Sequence, residues 1–168
     1  MEISKIKNIK SKISTKETFV DLVSQNKISL YRIAMSILKN EANVEDAISE
    51  TIYKSYNNFY KLKDVNSFKP WIMKILVNEC YSIIKKNKNI KLIDDFSIYN
   101  NSYEDSHDTG LMEYVNRLEE PFKAVVILFY YDDLSIKSIS NILNISEGTV
   151  KSRLSRSKAK LKNMIDNM

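Results

Sequence analysis

Cysteine and histidine are each present once in the 168 residues, and glycine and proline twice each. A single cysteine, Cys80, excludes an intrachain disulfide and a cysteine-ligated zinc cluster. The lone histidine, His107, lies among Asp105, Ser106 and Asp108, a setting that suits a solvated loop rather than a metal ligand or a general base. Two glycines and two prolines are too few for the tight turns of an all-β sandwich. No apolar run reaches membrane-spanning length, and MEISKIKNIKSKIS at the start carries lysines every few residues, unlike a secretory signal. A soluble, cytoplasmic, almost entirely helical protein is the expectation. Phosphate loops, nucleophile–histidine pairs and metal-ligand spacings are also missing, so the sequence offers no catalytic residue, metal site, cofactor or small-molecule substrate.

What is present is charge, unevenly spread. The net charge is +5; residues 1–86 carry 15 basic against 9 acidic side chains, residues 87–110 carry 2 against 5, and residues 111–168 carry 9 against 7. Basic ends around an acidic middle suit a polyanionic partner, although charge alone also fits a merely soluble surface.

Apolar periodicity divides the chain. Phe19, Leu22, Val23, Leu30, Ile33, Ala34 and Ile37 predict a helix over Thr18–Leu38, broken at Glu41–Asn43. A second helix follows over Val44–Tyr60, with Thr51, Ser55, Tyr56 and Phe59 among its inward positions. The polar connection KLKDVNSFKP leads to a third helix over Trp71–Lys86, with Pro70 welcome at its start. Residues 87–110 are polar and aperiodic, the composition of a flexible linker. Beyond them Leu111, Val115 and Leu118 begin a helix, and Ala124–Tyr131 is an apolar run that should be buried, ended by Asp132 and Asp133. A short helix bearing Ile136, Ile139, Ile142 and Leu143, a left-handed turn at Asn144 and a Ser146 cap then precede a basic helix. Short helix, tight turn, basic helix is the helix-turn-helix pattern. The fold class is all-α, with two small helical domains.

Three surfaces could carry function. On the second helix Asp46, Ser49, Glu50 and Tyr53 share an outward face, a strip that puts two carboxylates on a basic domain. An ordinary solvated face explains it, and so does a protein partner with a basic surface. On the third helix Lys74, Asn78, Tyr81 and Lys85 share a face, joined by Lys63, Asn66, Ser67 and Lys69 from the preceding connection. Cations neutralise phosphates, amides read base edges and aromatic rings stack on unpaired bases. On the last helix Val150, Leu154 and Leu161 form an apolar stripe, while Gly148, Thr149, Lys151, Ser152, Arg153, Ser155 and Arg156 offer the small, basic surface of a helix that enters a major groove. Glycine at 148 costs helix stability, which suggests that a side chain there would hold the backbone away from something.

Taken together, VEDAISETIYKSYNNF, SFKPWIMKILVNECYSIIKK and ISEGTVKSRLSRSKAKL resemble the extracytoplasmic-function sigma factors of the bacterial sigma-70 family over about residues 15–165. The resemblance implies sigma region 2 over residues 15–87, a linker over 88–110 and region 4 over 111–168, after an extension of residues 1–14. It further implies that Asp46, Ser49, Glu50 and Tyr53 grip core RNA polymerase and that the third helix and its loop hold the melted minus-ten element. The last helix would read the double-stranded minus-thirty-five element of promoter DNA. An anti-sigma factor, often membrane-bound, is implied as a further partner. Ser49 stands where the family usually has Gln, Ser140 where it has a small Ala, and Asn144 where it has the turn Gly. The competing readings are a two-domain regulator that binds duplex DNA without polymerase, and a recombinase-like enzyme, for which no carboxylates converge.

Overall fold

The computed structural model describes residues 15–91 and 110–167. The expected linker residues from 92 to 109, with His107, and the extension before residue 15 lie outside the described residues. Every regular element among those described is helical.

Helix α1 spans Lys16–Leu38 and begins earlier than its apolar pattern, because the Thr15 hydroxyl accepts from the Thr18 amide at 3.1 Å. It ends at Lys39 in the left-handed region (φ 56°). Helix α2 spans Glu41–Asn58, so Glu41–Asn43 is its first turn and not a break. The chain turns one step earlier: the Asn40 side chain accepts from the Asn43 amide at 3.0 Å, and Glu41 complements the helix's positive end. Two 3₁₀ turns, Phe59–Lys61 and Val65–Ser67, shape the connection. Helix α3 then spans Phe68–Lys91, with Pro70 in the first turn, where no amide is needed, and it continues past the expected end at Lys86.

The three helices pack around Phe19, Leu30, Ile33, Val44, Ile72 and Leu76, all buried. Thr51 and Ser55, also buried, return their hydroxyls to Ala47 O (2.6 Å) and Ile52 O (3.0 Å) within α2. Tyr56, expected inward, is half exposed at the rim, with its ring 5.2 Å from Phe19.

In the second domain α4 spans Leu111–Asn116 and α5 spans Glu120–Val126, the latter running on as a π-helical stretch over Ile127–Tyr131. Val115 and Leu118 are core as expected; Leu111 is exposed and Met112 takes the buried place. The apolar run is buried from Ala124 to Leu128, but Tyr130 points outward at 59% exposure. Helix α6, Ile136–Leu143, is capped by Ser135 and closed by Asn144 in the left-handed region (φ 56°, ψ 44°). Ser140 donates to Ile145 O at 2.6 Å across that turn. Helix α7, Glu147–Asp166, starts from a Ser146 cap on the Thr149 amide at 3.0 Å.

The two domains do not stand apart. Helix α1 lies against α5 and its π-helical extension, and α3 lies against α6, so the buried residues make one continuous core.

Candidate nucleic-acid and polymerase interfaces

Asp46, Ser49, Glu50 and Tyr53 are all exposed along α2, with the Tyr53 ring 64% accessible. Val44, Ala47 and Thr51 anchor the opposite side of the helix, which fixes the strip's outward direction. Glu50 is tied into a small network: Lys54 Nζ lies 3.4 Å from its carboxylate and 2.8 Å from that of Glu79 on α3. The hydrogen bond to Glu79 holds the Lys54 pKa above its ordinary value. The strip therefore has a defined edge where α2 meets α3.

Beside that edge, Lys54, Asn58, Lys61, Trp71, Ile75, Asn78 and Glu79 line an open groove of about 540 Å³. Asn78 is exposed on its rim, and Trp71, whose ring stands 5.9 Å from Phe68, forms an apolar wall. Periodicity identifies Lys54, Lys61 and Glu79 only as surface positions; their convergence needs the α2–α3 crossing. Lys63, Asn66 and Ser67 are exposed on the connecting loop, where Asp64 accepts from the Asn66 amide (3.0 Å) and side chain (3.1 Å). Phe68, buried among Phe19, Phe59 and Trp71, pins the loop's far end.

Lys69, Lys74 and Tyr81 belong to the predicted single-strand face but are met by the second domain. Lys69 Nζ lies 3.0 Å from the carboxylate of Asp132 and donates to the Asp132 carbonyl at 3.0 Å. Lys74 donates to the carbonyls of Asn141 and Ile142, the second at 3.3 Å. The Tyr81 hydroxyl donates to Glu120 at 2.9 Å, and burial, with Glu120 beside it, raises its pKa. Lys85 stays exposed. The sequence marks Asp132 only as a helix terminator; nothing local foretells its salt bridge to a residue 63 positions earlier.

On α7, Val150 is fully buried while Gly148, Lys151, Ser152, Ser155 and Arg156 are exposed. Thr149 and Arg153 are partly covered, and Arg153 lies close enough to Tyr81 to act on its ionisation. The expected partner Leu154 is half-buried against the core. A Cβ on Gly148 would meet only the Ser146 hydroxyl, at 3.7 Å. Nothing among the described residues requires glycine there.

No group of three or more metal-ligating side chains converges among the described residues. Cys80 is core: burial pushes its thiol up to about 12.

Residues 22–90 match sigma-70 region 2, and residues 109–161 match sigma-70 region 4. The RNA polymerase sigma factor SigV of Bacillus subtilis is 32% identical over 88% of this chain and 91% of its own length. The ECF RNA polymerase sigma factor SigM of the same organism is 28% identical over 79% of this chain and 86% of its own. In fold the chain is similar to the sigma factor RpoE of Bartonella quintana, solved with the anti-sigma factor NepR, at a TM-score of 0.71 and 23% identity over 88% of this chain and 96% of that one. It is similar also to CnrH, solved with the cytosolic domain of CnrY, at a TM-score of 0.63 and 18% identity, covering 94% and 95% of the two chains. With both sigma regions in order along one helical chain, the protein belongs to the sigma-70 family, in its extracytoplasmic-function group, and directs promoter-specific initiation by RNA polymerase.

Proposed function

We propose that the surfaces divide the labour of initiation as follows. The strip of Asp46, Ser49, Glu50 and Tyr53 binds core RNA polymerase. The face and loop bearing Lys63, Asn66, Ser67, Lys69, Lys74, Asn78, Tyr81 and Lys85 hold the unpaired minus-ten strand. The surface from Gly148 to Arg156 reads the minus-thirty-five duplex. Residues 15–87 act as region 2 and residues 111–168 as region 4. The protein is not an enzyme: strand opening is driven by binding, each captured base contributing roughly 1–3 kcal/mol against the cost of unpairing it.

The observation that carries this division is the contrast between two faces of one domain. The carboxylate-bearing strip on α2 stays exposed with both domains packed together, while the basic face of α3 carries cations and an aromatic hydroxyl beside an open groove. A duplex-binding surface alone has no use for Asp46 and Glu50, whereas a basic protein partner does. An anti-sigma factor that competes for the same surfaces is the natural second partner, since RpoE, a sigma factor of similar fold, was solved with one. No helix among the described residues is long and apolar enough to cross a membrane, so recruitment to one would depend on that partner.

Run-off transcription with sigma-free core polymerase and a pooled promoter library tests the reading. Discrete start sites that need the protein are expected. Asp46→Ala should lower affinity for core polymerase, while Lys151→Ala and Arg153→Ala should lower use of the upstream element and leave core binding intact. Sequence-specific duplex binding without polymerase, and no new transcripts, would turn the assignment toward a regulator. Full core affinity with lost DNA affinity in Asp46→Ala would reverse the division of surfaces.

A further inference from the structure

The exposed strip on α2 does not end at Tyr53. Asp46, Glu50, Tyr53, Tyr56 and Tyr60 follow one another at offsets of four, three, three and four along α2 and the 3₁₀ turn that continues it. One line of side chains therefore runs from two carboxylates to three aromatic rings. The rings are 64%, 49% and 69% exposed, and Tyr56 and Tyr60 have no part in the division of surfaces above. Adjoining exposed apolar groups of this size mark an interaction surface.

The aromatic end of the line stands beside the start of the first helix. The Tyr56 ring lies 5.2 Å from Phe19, one turn into α1. There Val20 is half exposed, and Glu17 and Asp21 on the same two turns are exposed carboxylates. Lys54 and Lys61 line the groove at α3. What leads into α1 at this point is residues 1–14, MEISKIKNIKSKIS. Ile3, Ile6, Ile9 and Ile13 recur in it at offsets of three, three and four, with Lys5, Lys7, Lys10 and Lys12 between them. Four lysines against the one carboxylate of Glu2 give a side-chain charge of +3, opposite in sign to Asp46, Glu50, Glu17 and Asp21.

We propose that residues 1–14 dock on this line, the isoleucines on the tyrosine rings and Val20, the lysines along the carboxylates. The length fits: fourteen residues span roughly 21 Å at helical rise, the same run as α2 and its turn from Asp46 to Tyr60, and more if extended. Exposed ion pairs are weak singly and screened by salt, so the lysines orient the segment and the isoleucines hold it. A docked segment covers Glu50 and Tyr53 and so competes with core polymerase for them. That consequence rests on the assignment of the strip to polymerase; the docking itself does not.

The test keeps the full chain. Cys80 is buried, so a nitroxide reagent added to Ser4→Cys labels residue 4 alone. The amide signals of Tyr53, Tyr56 and Tyr60 should be lost to paramagnetic broadening while those of α6 and α7 are spared. Ile6→Asp combined with Ile9→Asp should restore them. A segment docked in about nine molecules of ten lowers apparent core affinity about tenfold, so the same double variant should bind core polymerase about tenfold more tightly. Broadening confined to the residues beside Thr15, or unchanged in the double variant, overturns the proposal. Broadening of the tyrosines with the label on one copy and the isotope on another makes a second copy the occupant and overturns the contact within one chain. Docking without any gain in core affinity keeps the segment on α2 and overturns the polymerase assignment of the strip instead.

Discussion

Phe68 is where the fold meets the surface proposed for the minus-ten strand, and Phe68→Ala is the most demanding test of that join. The side chain is 1% exposed and opens α3 at the end of the basic loop. Its ring stands 6.0 Å from Phe19 and 5.9 Å from Phe59, nearly perpendicular to both (83° and 87°), and 5.9 Å from Trp71. Truncating a buried phenylalanine costs about 3–5 kcal/mol, and each edge-on aromatic pair accounts for roughly 0.5–1.5 kcal/mol beyond area. With two edge-on pairs and the tilted contact to Trp71 lost, we expect a loss of about 4 kcal/mol from a stability of roughly 5–15 kcal/mol. At a urea dependence of about 2 kcal/mol per molar, the midpoint should fall by ~2 M. Trp71, the only tryptophan, lies against the substituted site, so its fluorescence reports the first domain selectively. Phe68→Leu keeps most of the volume and loses the edge-on geometry, and should cost about 1–2 kcal/mol. A midpoint shift of under ~0.5 M in the alanine variant would refute the aromatic cluster as the anchor of the loop.

Gly148→Ala should raise thermal stability slightly, by up to about 1 kcal/mol, because alanine is the better helix former and only a hydroxyl at 3.7 Å greets its Cβ. It should weaken duplex binding all the same; undiminished promoter affinity would show that glycine is there for no ligand. Lys123 has its pKa lowered by burial, with the Lys39 charge adding to the effect. The unfolded chain therefore binds that proton more tightly, and Lys123 makes stability rise with pH as its lowered pKa is passed, up to the ordinary value of 10.5. Lys123→Met should abolish that contribution and raise the melting temperature near neutral pH. A wild-type pH slope in the variant, measured between about pH 8 and about pH 9 to stay clear of tyrosine ionisation, would refute it.

Helices whose apolar positions recur over several turns were legible in the sequence, and so was the turn at Asn144, where local chemistry and backbone agree. Boundaries were harder. Glu41–Asn43 reads as a break because it is polar, yet the polar residues are the acid and the capped amide of a helix's first turn. Leu111 and Met112 exchange places because a helix of six residues is too short for periodicity to decide between neighbours. At the candidate site the exposed directions of the α2 strip, the loop and most of α7 follow from which residues each helix buries. The engagement of Lys69, Lys74 and Tyr81 does not follow, because their partners lie 39 to 68 positions further on. Contacts of that span leave no local periodic trace, and two domains read separately give no hint that they meet.

Cys80 has one more consequence. The thiolate is the species that oxidants attack, and burial pushes the Cys80 thiol up to about 12, so it stays protonated at neutral pH. With its side chain sealed between helices, it can neither climb the oxidation ladder readily nor bridge to another chain. Peroxide or disulfide stress therefore finds Cys80 a poor handle. If the protein's output answers to such stress, Cys80 is not the group that detects it.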